Sequence, residues 1–345
     1  MSARTYLEPL GLLHGPTAAA AIAAGCALPL GEEAAFTAGR VLRRDGEAVE
    51  ERILPAAALL ESADPAMAGR LARLARPAGP VRIMGVVNVT PDSFSDGGRW
   101  FGRDAAIAHG LALAAAGAAI LDVGGESTRP GAEPVPPAEE IERIVEVVRA
   151  LSGHGCTVSV DTRNASTMAA ALDAGATIVN DVTALRHDPA AMAVVAEGGC
   201  PVVLMHSQGE PRTMQADPRY QRACLDVFDH LEERIAACAA HGIGTERIIL
   251  DPGIGFGKRA GHSLDVLQHL AMLRTLGCDL LVGVSRKSLI AHVAGDRNLA
   301  PTERVPGSLA AALAGVGRGA SIIRVHDVAE TRQALALARA VDVAA

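Results

Sequence analysis

Acidic and amide side chains stand at the ends of three short apolar runs. Asp161 closes the run CTVSVD, Asn180 lies near the end of TIVNDV, and Asp251 lies near the end of RIILDP. A carboxylate accepts two parallel N–H bonds, and the edge of a 2-amino-pyrimidinone ring presents such a pair of donors. The residues therefore suit a flat, donor-rich heterocycle. They could equally cap the helices that follow, hold a metal, or act as a general acid and base.

Basic residues follow two later runs, in the segments SRKS (285–288) and RVH (324–326). The cationic side chains are Arg286, Lys287, Arg324 and His326. Gathered in one place, they would favour a dianion or a pyrophosphate group, because Arg offers paired donors and Lys a point charge. The alternative is ordinary solvated surface charge.

Three glycine-containing segments predict specialised loops. NVTPDSFSDGG (88–98) and GGESTRPG (124–131) combine turn residues with polar side chains, which suits loops that close over a ligand. DPGIGFGK (251–258) lacks the spacing of a phosphate-binding P-loop. We expect its glycines to let the backbone approach the face of a flat ligand.

The elements that must position these residues recur regularly from residue 81. Short β-branched runs alternate with Ala- and Leu-rich helical stretches. The predicted strands are 81–87, 118–124, 156–161, 177–182, 201–206, 247–252, 279–285 and 321–326. The predicted helices lie near 103–116, 137–151, 165–174, 188–197, 220–241, 262–276, 303–317 and 328–343. This count favours a closed (β/α)8 TIM barrel over an open doubly wound sheet, and such a barrel collects all the polar strand ends at one face.

Residues 1–80 do not share this period. FTAGRVLRRDGEAVEERIL has the pattern of a hairpin that turns at RDGE, and PAAALLES and AMAGRLARLARP have helical patterns. We therefore predict a small α+β appendage of unknown role at 1–80 and a barrel at 81–345. If the appendage serves only dimerisation or stability, its deletion should leave kcat unchanged.

Composition excludes several classes of function. The chain has 345 residues, a net charge of −7, 49% hydrophobic residues and 2% aromatic residues. The negative charge argues against broad nucleic-acid binding, and no segment is long and apolar enough to span a membrane. PTAAAAIAAGCALPLG only weakly resembles an export signal. The six cysteines lack metal-binding or CxxC spacing, so we expect reduced thiols and a cytoplasmic location.

Eight segments together give the chain a specific resemblance to the dihydropteroate synthases. They are MGVVNVTPDSFSDGG, LDVGGESTRPGA, VSVDT, IVNDV, LMHSQGEPRTMQ, LDPGIGFGK, GVSRKS and IIRVHDV. The resemblance runs from about residue 81 to the end and covers all eight strand–helix units in order. It implies a Mg²⁺-dependent, homodimeric transferase that joins p-aminobenzoate to 6-hydroxymethyl-7,8-dihydropterin diphosphate and releases pyrophosphate.

The resemblance also implies a role for individual residues. The pterin contacts are expected at Asp161, Asn180, Met205, Asp251 and Lys287. The diphosphate contacts are expected at Asn88, Arg324 and His326, with Asn88 also at the Mg²⁺. The p-aminobenzoate region is expected at Phe94, Ser127, Thr128, Arg129, Pro130, Phe256, Arg286 and Ser288. Asp96 is expected to reach the Mg²⁺ or Arg129 when its loop closes, although it could be only a turn residue.

The chemistry that follows is an SN1-like displacement. Charge stabilisation of the diphosphate makes it a leaving group, and an arylamine is already neutral at pH 7, so no strong base is needed. The alternatives are a pterin-barrel methyltetrahydrofolate methyltransferase and a non-catalytic pterin-binding paralogue. The chain departs from many family members near the site, at Ser207, Ile254 and Leu289.

Overall fold

The architecture of a computed structural model of the chain is a closed barrel with an α+β appendage. The structure describes residues 3–61, 64–76, 79–89, 99–127, 133–209 and 213–343. Eight parallel strands close the barrel in the order β5 to β12, with β12 paired to β5. They are β5 (Arg82–Asn88), β6 (Ile120–Gly124), β7 (Val158–Asp161), β8 (Ile178–Asp181), β9 (Val202–Met205), β10 (Ile248–Asp251), β11 (Asp279–Val282) and β12 (Ile322–Val325). The predicted TIM barrel is confirmed.

Helices surround this barrel and follow its strands. They are α4 (Arg99–Ala116), α5 (Pro137–Gly153), α6 (Ala165–Asp173), α7 (Ala191–Gly198), α8 (Ala223–Ala240), α9 (Ala260–Gln268), α10 (Ser288–Val293), α11 (Val305–Val316) and α12 (Val328–Val343). Helix α10 was not predicted. It is only 6 residues long, too short for a helical period to be visible in the sequence.

The sixth predicted helix, 262–276, is divided in the structure. Helix α9 ends at Gln268, and a 3₁₀ helix spans Leu270–Leu276. His269, between them, has φ −97° and ψ 19° and is buried. Its Nδ1 lies 2.9 Å from Oε1 of Glu8 in the appendage. A contact with a partner 261 positions away in the chain could not be inferred from local periodicity.

The barrel interior is a layer of aliphatic side chains. One buried cluster consists of Met84, Ile120, Ile178, Val203, Ile249, Leu281 and Ile322. Each comes from a different strand, and only β7 contributes none. Burial of one such side chain is worth about 1.5–3 kcal/mol, so this layer gives the strand ends a rigid base. The scarcity of aromatic residues in the sequence is thus matched by an aliphatic core.

The appendage is a four-stranded antiparallel sheet with three helices. The strands are β1 (Arg4–His14), β2 (Leu28–Pro29), β3 (Ala34–Asp45) and β4 (Ala48–Pro55), and the helices are α1 (Gly15–Ala23), α2 (Ala56–Leu60) and α3 (Pro65–Leu74). Asp45 pairs with Ala48, so the hairpin turns at the predicted RDGE segment. The Ala-rich stretch near the N-terminus forms α1, which packs on β1 and β3.

The appendage shares part of the barrel's core. Tyr6 is fully buried, and its ring meets that of Phe228 on α8 edge to face, with the centroids 5.2 Å apart. Such a pair contributes about 0.5–1.5 kcal/mol beyond its buried area. The contact joins the first strand of the appendage to a barrel helix.

Two further properties concern the whole described chain. All six cysteines are free, and Cys200, Cys224, Cys238 and Cys278 are buried. Among the described helices, none has the length and apolar character needed to cross a membrane.

Candidate functional site

One large cavity lies at the carboxyl ends of the barrel strands. Its volume is about 1170 Å³. The predicted residues that line it are Asn88, Ser127, Asp161, Phe256, Arg286, Lys287, Ser288, Arg324 and His326. Strand register explains part of this convergence, because Asn88 pairs with Gly124, which in turn pairs with Asp161. The expectation that distant polar residues form one pocket agrees with the geometry.

The floor of the cavity is a buried network of acids around one arginine. Arg324 donates from Nε to Oδ2 of Asp122 and from Nη2 to Oδ2 of Asp161, both at 2.7 Å. Asn180 donates from Nδ2 to the same Oδ2 of Asp122 at 3.0 Å. Asp122 is fully buried, and its Oδ1 has no hydrogen-bond partner among the described residues. The network fixes the guanidinium plane and leaves one buried acceptor unsatisfied.

Burial and charge act in opposite directions on the groups of this floor. Burial raises the pKa of Asp161 to about 7, although the Arg324 guanidinium favours the ionised carboxylate. Burial alone would lower the pKa of Arg324, but Asp122 and Asp161 together raise it above its usual value. Arg324 therefore remains a cation, while Asp161 can change protonation near neutral pH.

The second side of the cavity is formed by Lys287, whose charge interacts with the buried Asp251. Lys287 donates to the carbonyl oxygen of Ile254, and its Nζ lies 4.6 Å from the centre of the Phe256 ring. Burial lowers the pKa of Lys287 to about 8, with the charge of Asp251 opposing that change. Burial likewise raises the pKa of Asp251, with Lys287 opposing. The two groups thus stabilise each other's charged forms across the pocket.

The loop between β10 and α9 is fastened by a buried cation, Lys258. Its Nζ lies 2.8 Å from His206 Nδ1 and donates to the carbonyl oxygen of Gly253 at 2.9 Å. Burial lowers the pKa of Lys258 to about 7. Burial, followed by the charge of Lys258, lowers the pKa of His206 to about 2, so the imidazole is neutral and its Nδ1 can accept a hydrogen bond from Lys258. The glycine-rich segment is therefore held in place from below.

The loop after β11 carries two more fixed groups. Arg286 adopts φ +59° and makes a two-point ion pair with Asp327, in which Nε donates to Oδ2 at 3.0 Å. Its backbone N–H donates to Ser308 Oγ at 2.9 Å. Ser285 Oγ lies 3.0 Å from His326 Nδ1. A non-glycine residue in the left-handed region is strained, and these contacts hold it there.

Three predicted pterin residues lie beneath the cavity surface. Asn180, Met205 and Asp251 are 4%, 3% and 7% exposed, and they are not part of the cavity lining. Asp251 accepts from the backbone N–H of Gly253 at 2.7 Å. Asn180 lies beside the cavity-lining Asp161 on the next strand, and Met205 lies beside Asp251.

Five predicted site residues cannot be placed. Phe94, Asp96, Thr128, Arg129 and Pro130 lie outside the described residues. The expectation that their two loops close over the ligands therefore stays a prediction.

The buried charged residues Asp122 and Lys258 were not singled out from the sequence. Asp122 lies inside the apolar run AAILDVG, and an acid in the middle of a buried strand was the signal that could have identified it. Lys258 ends the segment DPGIGFGK, but a lone lysine beside a loop gives no sign that it is buried.

Asn88 is the residue best placed to hold a metal. It is exposed at the end of β5 and lines the cavity. Its amide oxygen is the hard donor that Mg²⁺ prefers, and Mg²⁺ usually completes its shell with substrate phosphate oxygens and water. The residue present fits the expected ion.

Comparison with known proteins gives one consistent result. The family model described as "Pterin binding enzyme" matches residues 84–326, which begin after the appendage. Dihydropteroate synthase of Neisseria meningitidis is 48% identical over 259 residues, covering 74% of this chain and 90% of that protein. The Escherichia coli K12 dihydropteroate synthase is 45% identical over 259 residues, covering 75% of this chain and 90% of that protein.

Solved structures agree with this result. Dihydropteroate synthase of Xanthomonas albilineans with 4-aminobenzoic acid is 45% identical, with a TM-score of 0.73, and the match covers 78% of this chain and 95% of that one. The same enzyme in complex with 7,8-dihydropteroate has a TM-score of 0.70 at 43% identity, covering 78% of this chain and 96% of that one.

Proposed function

The chain belongs to the pterin-binding enzymes and, among them, to the dihydropteroate synthases, and from this premise we propose how its residues divide the reaction. The enzyme transfers the pterinylmethyl group of 6-hydroxymethyl-7,8-dihydropterin diphosphate to p-aminobenzoate and releases pyrophosphate. The product, 7,8-dihydropteroate, is a folate precursor. One observation supports our division of roles: a buried acidic floor, a lysine–aspartate pair and the cations of β12 share a single cavity.

The pterin ring binds between the acidic floor and Lys287. Asp161, Asn180 and Asp251 supply acceptors for the ring's amino and N–H groups, and Lys287 donates to its carbonyl edge. Met205 packs against the ring face from below. Because these polar groups are already buried and oriented, they lose little conformational freedom when the ring binds.

Arg324 links the pterin to the diphosphate. Its Nε and Nη2 are held by Asp122 and Asp161, whereas Nη1 has no hydrogen-bond partner among the described residues. We assign Nη1 to a diphosphate oxygen. The paired acids keep Arg324 charged and aimed, which is the requirement for stabilising charge that develops on a leaving group. His326, oriented by Ser285, lies on the same side of the cavity.

Asn88 would hold Mg²⁺ together with the diphosphate. When bound, Mg²⁺ would neutralise part of the charge of the leaving pyrophosphate. Asn88 supplies its amide oxygen from the end of a rigid strand, which keeps that donor at a constant distance from Arg324 and His326. Arg324 and His326 supply the remaining positive charge.

The arylamine enters from the wall formed by Phe256, Arg286 and Ser288. Departure of pyrophosphate leaves an electron-deficient methylene, whose charge the electron-rich dihydropterin delocalises. The neutral amine then attacks, and the ammonium that forms loses its proton to water or to the departing pyrophosphate. The protein therefore contributes position rather than a strong base. Ser127 also lines this wall, and we place Phe94, Thr128, Arg129 and Pro130 in the covering loops, with Asp96 reaching the Mg²⁺ or Arg129. Closure of these loops would exclude the water that otherwise captures the cation.

The same membership supports three coarser proposals. We propose a cytoplasmic location. We also propose a homodimer, and light scattering of the purified protein, which gives its mass in solution, tests that state. The Yersinia pestis dihydropteroate synthase has been solved as a sulfonamide drug complex. We propose that sulfonamides compete with p-aminobenzoate in this chain as well, which would appear as a raised KM for p-aminobenzoate at unchanged kcat.

The decisive test is product formation by the purified chain. Pterin diphosphate, p-aminobenzoate and Mg²⁺ should give 7,8-dihydropteroate, and pyrophosphate release should match it one to one. Arg324→Gln should lose nearly all activity, while Arg318→Gln, at a partly buried arginine that donates to the carbonyl oxygen of Ala314 and is not part of the cavity lining, should keep it. Folded wild-type protein that forms no product would contradict the proposed function.

A further inference from the structure

The hairpin of the appendage reaches the part of α8 nearest the cavity. Strands β3 and β4 are joined by a turn at Gly46, and the strand pair next to this turn is Asp45 with Ala48. Arg44 is the residue before Asp45. Arg44 Nη1 donates to Asp226 Oδ1 at 2.7 Å and lies 3.4 Å from Asp229 Oδ2. Its Nη2 donates to Oε1 of Gln221. One appendage side chain thus binds both the first turn of α8 and the loop that precedes it.

Asp226 links Arg44 to the backbone of the loop before α8. While its Oδ1 binds Arg44, its Oδ2 accepts from the backbone N–H of Gln221 at 2.9 Å. A second appendage residue, Glu51, lies 3.7 Å from the Arg222 guanidinium. The position of residues 220–222 is therefore set from the appendage side as well as from the barrel side.

The same loop forms a wall of the cavity. Met214 and Gln215 line it, and Gln215 donates to the carbonyl oxygen of Gly255. Tyr220 donates from its hydroxyl to the carbonyl oxygen of Gly257 at 2.7 Å. The Tyr220 ring centre is 6.0 Å from Lys258 Nζ, within reach of a cation–π contact. The loop thus holds two carbonyls of the segment that follows Asp251.

We propose that the appendage is a positioning element of the active site and that Arg44 is its key residue. Arg44 fixes residues 220–222, Tyr220 and Gln215 fix the backbone of 253–258, and that segment carries the carbonyl that binds Lys287. The inference deepens the proposed function, on which it rests, by giving the appendage a part in pterin binding. Arg44 touches no substrate and acts only through the loop.

The consequence is selective for one substrate. The segment 251–258 carries Asp251 and the carbonyl that binds Lys287, both on the pterin side, and it gives only Phe256 to the wall for p-aminobenzoate. The other residues of that wall lie in the loop after β11, which Asp327 and Ser308 hold independently. Loss of Arg44 should therefore raise the KM for pterin diphosphate more than the KM for p-aminobenzoate.

The test compares Arg44→Ala with Arg4→Ala in the full-length protein. Arg4 binds Asp229 and Glu232, farther along the same helix, and it has no contact with the loop among the described residues. Arg44→Ala should raise the KM for pterin diphosphate about fivefold with kcat nearly unchanged. Arg4→Ala should leave both constants within error, and Arg44→Lys should restore part of the lost affinity.

Hydrogen exchange gives a second readout that does not depend on activity. Amides of 213–222 and 253–258 should exchange faster in Arg44→Ala than in Arg4→Ala, while barrel strands on the far side stay unchanged. Equal exchange and equal pterin KM in the two variants would overturn the inference. If wild-type protein made no dihydropteroate, the proposed function would fail, and the exchange comparison would still decide whether Arg44 positions the loop.

Discussion

The cavity floor and the appendage each hold an arginine between two carboxylates. In the floor, Arg324 is bound by Asp122 and Asp161, both at 2.7 Å, and Asp122 has no exposed surface. At the appendage, Arg4 is bound by Asp229 at 3.1 Å and by Glu232, and the Arg4 side chain is 45% exposed. The chemistry of the groups is the same, and only their access to water differs.

That difference decides what each network can do. Exposed ion pairs contribute about 0–1 kcal/mol, because water solvates either partner after the other is removed. Buried partners have no such replacement, so the removal of one leaves a charge that nothing stabilises. The groups of the floor are therefore already desolvated and oriented, so a polar ligand can bind them directly. The ion pairs at the appendage only align it with the barrel, to which hydrophobic contacts already join it.

The two networks should differ most in the free energy of unfolding that is lost when the central arginine is removed. Arg324→Met should lower the free energy of unfolding by about 3 kcal/mol, because it leaves Asp122 and Asp161 without their cation. Arg4→Met should lower it by less than about 1 kcal/mol. Urea unfolding followed by circular dichroism measures both values, and equal losses would show that burial does not distinguish the networks.

Alanine substitutions at two glycines compare the backbone near the cavity with that of the appendage hairpin. Gly253 and Gly46 both have positive φ, +64° and +59°. An added Cβ at Gly253 would lie 1.9 Å from the carbonyl oxygen of His206, whereas nothing lies within 4 Å of one at Gly46. Gly46→Ala should cost about 1 kcal/mol from the backbone conformation alone. Gly253→Ala should lower the free energy of unfolding by about 2 kcal/mol more than Gly46→Ala does. It should also weaken pterin binding, because the loop between β10 and α9 must move.

One result would contradict the prediction for Gly253→Ala. Thermal unfolding and pterin titration of the two alanine variants, measured side by side, should differ in both properties. Matching melting temperatures would mean that the loop yields without cost and that its close approach to His206 is unimportant.

Removal of Asp251, the acidic partner of Lys287, should weaken the binding of one substrate far more than that of the other. Asp251→Ala should weaken pterin binding by about 10- to 100-fold, as expected for a lost hydrogen bond to a charged group. The KM for p-aminobenzoate at saturating pterin diphosphate should change far less. Calorimetric titration with the pterin measures the first effect, and an unchanged affinity would remove Asp251 from the pterin site.

The smallest expected effect is a pH dependence of stability that originates in the floor. The pKa of Asp161 is raised from its model-peptide range to about 7, so the folded state binds a proton that the unfolded state has released. This contribution is fully present below about pH 4 and is lost as the pH rises toward 7. Asp161→Asn should flatten the stability profile between these limits. Parallel profiles for wild type and Asp161→Asn would refute the assignment.

Much of the site could be predicted because strand ends are visible in a sequence. The polar residues Asn88, Asp161 and Arg324 each follow or end an apolar run, and barrel topology sends all such ends to one face. The resemblance to a family then supplied roles. Neither argument indicated which side chains bind each other before a ligand arrives.

What stayed hidden from the sequence depended on distant contacts. Asp122 is a site residue only because Arg324, 202 positions later, reaches it. The break at His269 depends on Glu8, and the link from Arg44 to Gln221 crosses 177 positions. The role that we propose for the appendage is not visible in residues 1–80, because it depends on a loop from another part of the chain.

The sequence by itself determined the barrel, the order of its strands and the residue types at its mouth, because alternating apolar periods and turn residues act over a few positions. Only the tertiary structure decided that Asp122, Asp161 and Arg324 form one buried network, that Lys258 fastens the loop after β10, and that Arg44 binds the loop before α8. Burial changes the energy of a charge far more than residue type does, and burial is set by the packing of the whole chain.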